Sequence, residues 1–171
     1  LQDAGRFGVR HLGVTQGGAA DWLSMARANA LLGNTPGAAV IEITLGGLTL
    51  VAQDDCTLAL AGADLAAAID GQPLKPWRSF SLSKGQTLTF TQPLIGARAY
   101  LAAPAGFVAP QVLGSCATVV REQLGGPDGL GRALVAGDEL RYEGVAPPVR
   151  ELPLEQRPVF NPHPVLDLVM G

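Results

Sequence analysis

Short runs in which polar and apolar residues alternate are the dominant pattern of this chain. Residues 79–83 and 87–91 place an apolar side chain at every second position, which is the period of a half-buried β-strand. Residues 84–86 lie between these runs, and their central Gly85 predicts a hairpin turn. The same reasoning predicts strands at 40–45, 48–52, 57–61, 66–69, 98–102 and 139–142.

Turn residues separate the predicted strands. Asp70 and Gly71 form a two-residue turn signal after the strand at 66–69. The prolines fall between predicted strands, not inside them: Pro73, Pro76 and Pro93. The pattern therefore predicts a mainly β protein with an antiparallel meander, and closure into a barrel would remove its exposed edges.

One segment has the pattern of a helix. Asp21 stands where an N-cap would accept backbone N–H bonds, residues 22–32 favour helix, and Gly33 with Asn34 predicts a left-handed stop. Spacing places four residues on the face towards the predicted barrel: Trp22, Met25, Ala26 and Asn29. A buried Asn29 amide needs hydrogen-bond partners, and loop backbone is favoured over a ligand. We therefore predict structural roles for Asp21, Asn29 and Gly33.

Composition narrows the possible partners. The chain has 171 residues, is 47% hydrophobic and carries a net charge of −3 without a basic stripe, so one folded core is expected and nucleic acid is not an expected partner. No apolar run is long enough for a membrane span. Cys56 and Cys116 lack C-x-x-C spacing, which favours core thiols in a reducing cytoplasm. The sequence shows neither metal-ligand spacing nor a P-loop.

Polar residues beside glycines are the candidates for chemistry. Asp3 and Arg6 flank Gly5, so they could form a local ion pair, or Arg6 could bind a carboxylate or phosphate of a ligand. Glu42 interrupts an apolar strand, where a buried carboxylate needs a partner. That partner could be Arg27, Arg98 or a bound substrate.

Two further pairs complete the candidates. Arg98 and Tyr100 are two residues apart on a predicted strand, so they share a face that could line a barrel mouth or be ordinary surface. Ser115 and Thr118 are the hydroxyl residues of a segment without a Gly-x-Ser-x-Gly elbow. No catalytic acid or base is assigned. The predicted substrate-binding residues are Asp3, Arg6, Glu42, Arg98, Tyr100, Ser115 and Thr118.

The order of motifs carries a resemblance to a known family. The segments are Gln-Asp-x-Gly-Arg-x-Gly at 2–8, Gly-Gly-Ala-x-Asp at 17–21, Glu-Ile-Thr-Leu-Gly-Gly at 42–47, and Leu-Gly-Ser at 113–115 with Thr118. Together they resemble the biotin-dependent carboxyltransferase family of the allophanate hydrolase subunit 2 type, which includes KipA-like proteins, the C subunit of 5-oxoprolinase and part of urea carboxylase. The resemblance covers about residues 1–142.

The resemblance implies a domain organisation. It implies a cyclophilin-like closed antiparallel β-barrel with one helix near the N-terminus in residues 1–142. Residues 143–164 are rich in proline and are expected to form a linker. Residues 165–171 would begin a truncated second subdomain, so we expect the chain to be part of a longer protein.

The resemblance also implies three possible functions. The first is a subunit of an ATP-dependent amide or lactam hydrolase that converts 5-oxoproline to glutamate, with a KipI or allophanate hydrolase subunit 1-like partner and a LamB/YcsF-like subunit. The second is carboxyl transfer from carboxybiotin to a urea-like amide. The alternative is a KipA-type regulator that binds a KipI-like kinase inhibitor. ATP or carboxybiotin would serve the full complex, with none bound by this part.

Overall fold

The computed structural model describes residues 1–145 and 147–159 of the protein. It contains one α-helix, α1 (Trp22–Leu31), and short 3-10 turns at Arg10–Leu12, Val120–Glu122 and Leu154–Gln156. The strands are β1 (Val40–Thr44), β2 (Leu48–Val51), β3 (Cys56–Asp64), β4 (Ala67–Ile69), β5 (Gln72–Pro73), β6 (Arg78–Leu82), β7 (Thr87–Phe90) and β8 (Ile95–Ala102). No helix in this part of the chain has the length and apolar character needed to cross a membrane.

The strands form two antiparallel sheets of four strands each. Sheet A has the order β1-β8-β3-β6, and sheet B has the order β2-β7-β4-β5. The predicted mainly β class with one helix is confirmed, but the predicted meander is wrong. Among the described strands, only β4 and β5 are neighbours both in sequence and in a sheet. A closed cyclophilin-like barrel stays a prediction.

The predicted hairpin between residues 79–83 and 87–91 is also wrong. β6 pairs with β3 in sheet A, whereas β7 pairs with β2 and β4 in sheet B. The turn between them crosses from one sheet to the other, and Gly85 N donates to Ala52 O at 2.8 Å. Alternation specifies that each strand is half-buried but leaves its neighbour undetermined. Both strands turn their apolar side towards the same core, from opposite sheets.

Two smaller predictions fail at the margins of the sheets. Residues 139–142 are not a strand; Arg141 O accepts one backbone hydrogen bond from Val108 N at 2.8 Å. Their apolar side chains, Leu140 and Tyr142, pack at the border of the core, which explains the alternating pattern. Pro73 lies inside the two-residue strand β5, not between strands. Because β5 is the edge strand of sheet B, proline is tolerated there.

The main core lies between the two sheets. Alternate residues of β3 and β8 supply its centre from sheet A, and Leu88 and Phe90 supply it from sheet B. Leu60, Leu88 and Leu101 are almost completely removed from solvent. Burying such side chains contributes about 1.5–3 kcal/mol each. This core fixes the spacing of the strands that carry the polar site described below.

Helix α1 covers the opposite face of sheet A. Met25, Ala28 and Leu31 pack against small residues of β3 and β8 together with Tyr100. The predicted inward orientation of Trp22 is wrong, since its exposed fraction is 68%. The buried stripe runs through Met25, Ala28 and Leu31, and Trp22 in the first turn lies beside that stripe, not on it.

Asp21 caps the start of α1. Its carboxylate accepts hydrogen bonds from Ser24 N at 3.0 Å and from Ser24 Oγ at 2.6 Å. Gly33 follows the helix with φ +73°, the left-handed conformation that ends many helices. Side-chain capping and a glycine stop thus delimit the helix at both ends.

Asn29 ties α1 to the loop that follows it. This fully buried amide donates from Nδ2 to Pro36 O at 3.2 Å and to Ala38 O at 2.9 Å. Its Oδ1 accepts a bond from Asn34 Nδ2 at 2.9 Å. The amide is therefore engaged with loop groups inside the protein.

Replacing Asp21 with alanine should lower the free energy of unfolding by about 1 kcal/mol, because the Ser24 N–H loses its acceptor. Asparagine at the same position can still accept that bond and should retain most of the stability. Urea denaturation of the three proteins measures the difference. Equal midpoints for Asp21→Ala and the parent would show that the cap does not stabilise the fold.

Residues near the beginning of the chain cover one edge of sheet A. Gln2 forms an isolated antiparallel bridge with Val40 of β1, with backbone N···O distances of 2.9 and 2.8 Å. The N-terminal segment is thereby attached along the strand that contains Glu42.

Residues 150–152 cover the other edge of sheet A, along β6. Ser79 N donates to Arg150 O at 2.8 Å, and Leu152 N donates to Trp77 O at 2.8 Å. This part of the predicted 143–164 linker is therefore hydrogen-bonded to the sheet. The later part of that linker, from residue 160, and the predicted second subdomain at 165–171 lie outside the described residues, and the domain boundaries stay a prediction.

Candidate functional site

A polar cluster lies on the helix-facing side of sheet A. Glu42 of β1 stands directly opposite Tyr100 of β8 in the strand register. The residues beside Glu42, Ile41 and Ile43, point into the core between the sheets, so alternation turns Glu42 towards α1. Tyr100 OH donates to Glu42 Oε2 at 2.9 Å.

Two backbone amides at the start of α1 complete this cluster. Ala20 N donates to Glu42 Oε2 at 2.9 Å, and Asp21 N donates to Tyr100 OH at 2.7 Å. Because the Asp21 N–H occupies the phenol oxygen as an acceptor, the phenol proton is directed towards Glu42. The carboxylate thus has two donors on one oxygen.

The environment keeps Tyr100 in its neutral form. Burial raises the pKa of Tyr100 above its ordinary value, and the adjacent Glu42 carboxylate raises it further, while the Asp21 N–H acts in the opposite direction. A neutral phenol is a hydrogen-bond donor at physiological pH. Tyr100 therefore orients Glu42 and does not compete with it for a proton.

Arg98 forms the solvent side of the cluster. Its Nε lies 3.4 Å from Glu42 Oε1, and the side chains are 45% and 15% exposed, respectively. Of the predicted partners for Glu42, the structure gives Arg98; Arg27 instead lies over the Trp77 ring, 5.9 Å from its centroid. Within residues 1–145 and 147–159, Glu42 is the acid within ion-pair distance of Arg98.

A small cavity opens beside Arg98. It has a volume of about 190 Å³ and is lined by Ala20, Asp21, Ala63, Ala97 and Arg98. Three of these residues are alanines, and the charged ones are Asp21 and Arg98. Such a cavity can admit a small molecule and bind its anionic group through the remaining N–H groups of Arg98.

Asp3 belongs to a second, internal cluster. Its Oδ1 accepts bonds from Gly5 N at 2.8 Å and Ser115 Oγ at 2.6 Å, and its Oδ2 accepts one from Cys116 N at 2.8 Å. Burial, together with the Asp3 carboxylate, raises the pKa of Cys116 to about 12. The thiol is therefore protonated, and Asp3 is committed to internal donors.

Arg6 is fully buried and grips the same segment as Asp3. Its Nε donates to Val112 O at 3.0 Å, and its Nη2 donates to Ser115 O at 3.3 Å and Ala117 O at 2.7 Å. Asp3 and Arg6 do not pair with each other, so the first of the two alternatives for them, a local ion pair, is wrong. Asp3 accepts hydrogen bonds from residues 112–117, and Arg6 donates hydrogen bonds to backbone carbonyls of the same residues. We call these two side chains the Asp3–Arg6 clamp.

The hydroxyls of Ser115 and Thr118 also point inwards. Ser115 Oγ accepts a bond from Ala117 N at 3.0 Å in addition to its bond with Asp3. Thr118 Oγ1 donates to Leu1 O at 2.9 Å. The structure therefore groups the predicted residues into an open cluster, Glu42, Arg98 and Tyr100, and an internal cluster, Asp3, Arg6, Ser115 and Thr118. Substrate binding by either group stays a prediction.

Sequence reasoning does not find the two backbone amides. The N–H groups of Ala20 and Asp21 belong to the backbone, so the residue types do not reveal them, although the pattern identifies Asp21 as a helix cap. A signal for them exists: the residue at an N-cap and the one before it carry N–H groups that the helix itself does not use.

Comparisons with known proteins agree with this architecture. A family model described as carboxyltransferase domain, subdomain A and B, matches residues 12–171. The chain is 40% identical to the C subunit of 5-oxoprolinase from Haemophilus influenzae over 141 residues, covering 82% of this chain and 45% of that protein. It is 33% identical over 141 residues to urea amidolyase of Saccharomyces cerevisiae, covering 82% of this chain and 8% of that protein.

The fold is shared with a solved relative. The crystal structure of Kluyveromyces lactis urea carboxylase superposes with a TM-score of 0.83 at 27% identity, covering 94% of this chain and 15% of that one. Fold and sequence together define a carboxyltransferase-type domain. The chain belongs to the biotin-dependent carboxyltransferase family. It spans less than half the length of each of these three relatives.

Proposed function

We propose that this chain is part of a protein of the 5-oxoprolinase C-subunit type, which takes part in the ATP-dependent opening of 5-oxoproline to glutamate. The observation that carries the proposal is 40% identity to such a subunit over 82% of the chain. The urea enzymes are more distant, at 33% and 27% identity.

The open cluster supports a role in this reaction. In lactam hydrolysis, water adds to the carbonyl carbon, the C–N bond breaks, and the nitrogen takes up a proton. Glu42 is held by the Ala20 N–H and the Tyr100 hydroxyl. Two residues that contact Glu42, Ala20 and Arg98, line the cavity. We assign it the role of proton acceptor. Arg98, at the rim, would bind the carboxylate of 5-oxoproline.

The nucleotide is assigned to another part of the complex. ATP supplies the activation of the stable amide when it is bound. The two amides that begin α1 already donate to Glu42 and Tyr100, so they offer no free cradle for a phosphate. The start of α1 therefore does not fit a nucleotide site.

We infer the remaining subunits and the domain organisation from the family. We propose a KipI or allophanate hydrolase subunit 1-like partner, a LamB/YcsF-like subunit and a cytoplasmic setting. Residues 1–142 would form one subdomain, in which the two sheets belong to a cyclophilin-like barrel. Residues 143–164 would form the linker, and residues 165–171 would begin the next subdomain.

The test is reconstitution of the complex. The full-length protein is co-expressed with its two proposed partner subunits, and 5-oxoproline-dependent ATP hydrolysis and glutamate release are measured. Turnover supports the proposal. A complex that forms but turns over neither lactams nor urea-like amides would favour the regulatory alternative. Carboxylation of urea without lactam opening would favour the second candidate, for which the shared urea carboxylase fold is the specific observation.

Replacing Arg98 with methionine should raise the KM for 5-oxoproline by about 10–100-fold, because a charge-assisted bond of about 1.5–3 kcal/mol is lost. The kcat should change less. The neutral lactam 2-pyrrolidone lacks a carboxylate, so its KM should not change with the substitution. Arg141→Met is the control, because Arg141 is an exposed, acid-paired arginine outside the cluster. An unchanged KM for 5-oxoproline would remove Arg98 from the binding site.

A further inference from the structure

The Asp3–Arg6 clamp holds a second segment besides residues 112–117. The backbone of the clamp residues pairs with the loop that precedes α1. Arg6 N donates to Gln16 O at 2.7 Å, and Ala19 N donates to Asp3 O at 3.0 Å. The side chains of Asp3 and Arg6 therefore bind residues 112–117, whereas the backbone of the same two residues binds the loop before α1.

Glycines let these two segments touch. A Cβ at Gly5 would lie 2.8 Å from Gly17 O, and a Cβ at Gly18 would lie 3.0 Å from Ala4 O. Both glycines have positive φ, +92° and +95°, which other residues rarely adopt. The backbone of 16–19 thus lies against 3–6 with no side chain between them, and a shift of one segment must move the other.

The held loop leads directly into the open cluster. Ala20 follows the anchored Ala19, and its N–H is bonded to Glu42 Oε2 at 2.9 Å. The next amide, that of Asp21, is bonded to the Tyr100 hydroxyl at 2.7 Å. The position of both donors is therefore set by a loop whose backbone is bonded to the backbone of Asp3 and Arg6, the two residues whose side chains form the clamp.

We propose that Asp3 and Arg6 are positioning residues, which fix the Ala20 and Asp21 amides on Glu42 and Tyr100 without touching the substrate. Arg6 is fully buried, and Asp3 is 8% exposed. All three carboxylate contacts of Asp3 are internal, and Arg6 donates to three carbonyls of one loop. Nη1 of Arg6 is buried and has no hydrogen-bond partner among the described residues. The charged groups of Asp3 and Arg6 therefore serve to hold backbone groups of the protein in place.

The activity readout of this inference rests on the proposed function. In the reconstituted complex, Arg6→Gln and Asp3→Asn should lower kcat by about 10–100-fold, since displaced catalytic groups lose that much rate. The KM for 5-oxoproline should stay within about twofold, since the substrate contacts are retained. Arg6→Lys keeps the charge and one donor and should recover part of kcat.

The control variant is Ser79→Ala. Ser79 is similarly buried and holds a loop, accepting a bond from Arg150 N at 2.7 Å, but it lies at the β6 edge. A loss of kcat in Ser79→Ala equal to that in Arg6→Gln would overturn the inference, because a general loosening of the fold would then explain both losses. A rise in KM with kcat unchanged would also overturn it, because the clamp would then act in binding.

Hydrogen exchange tests the same inference without any activity. In the full-length protein, amides of residues 16–21 should exchange about tenfold faster in Arg6→Gln than in the parent, because local opening becomes easier. Faster exchange confined to 112–117 would overturn the inference. If the parent complex has no activity, the proposed function fails while the exchange result still decides the clamp. If Arg6→Gln does not fold, Arg6→Lys and Asp3→Asn give the same readouts.

Discussion

Replacing Glu42 with glutamine should lower kcat of the reconstituted complex by about 10²–10⁴-fold, because positioned general acid–base groups contribute that much. Glutamine has nearly the same shape, and its carbonyl oxygen can still accept from the Ala20 N–H or the Tyr100 hydroxyl. It cannot take a proton from the attacking water. The measurement is steady-state turnover of 5-oxoproline together with thermal unfolding of the same preparations.

The fold should survive the change at Glu42. Glu151→Gln is the matched control, because Glu151 also pairs with arginines, Arg78 and Arg157, at the opposite edge of sheet A. That variant should retain parental kcat. If Glu42→Gln keeps more than about a tenth of the parental rate, general base catalysis by Glu42 is wrong, and its role is to hold Arg98 and the start of α1.

Replacing Gly125 with alanine should destabilise the protein by about 2–5 kcal/mol, the sum of left-handed strain and overpacking. Gly125 has φ +68°, and a Cβ there would collide with Ala117 O and lie 2.6 Å from Arg6 Nη2. Those two atoms form one hydrogen bond of the Asp3–Arg6 clamp. Both partners are buried backbone or fully packed side chain, so neither can move away easily.

Gly8 provides the control for the change at Gly125. It has a similar φ, +78°, and a Cβ added there would have nothing within 4 Å. Gly8→Ala should therefore cost only the left-handed strain, about 1–2 kcal/mol. Urea denaturation measures the free energy of unfolding of both variants, and the difference between their losses is the cost of the collision at Gly125. Equal losses at the two positions would mean that residues 112–117 can shift without cost.

Local patterns identify the helix and most of the strands, but they do not identify which strands pair. Asp21 and Gly33 mark the ends of the helix because capping depends on neighbours in sequence. The strands that contain Phe80 and Leu88 are visible from alternation. Their separation into two sheets is not visible, because strand partners are chosen by contacts between residues distant in the chain.

The candidate site shows the same division. Glu42 in an apolar strand demands a partner, and Arg98 is one of the residues that the sequence suggests. The spacing of Asp3 and Arg6 suggests a pair, yet each has partners more than a hundred residues away, in 112–117. Only the folded chain brings that segment to the N-terminal loop, so no local rule could identify those bonds.

The covered edges of sheet A restrict how another protein can bind here. Main-chain bridges from Gln2 and Glu151 occupy one end of each outer strand, at Val40 of β1 and at Arg78 of β6. A partner strand that extended sheet A by β-augmentation would first have to displace them. A partner that binds beside these bridges would therefore contact side chains and loops. Substitutions on those surfaces, not in the strand ladder, should then determine whether the proposed partner subunits are accepted.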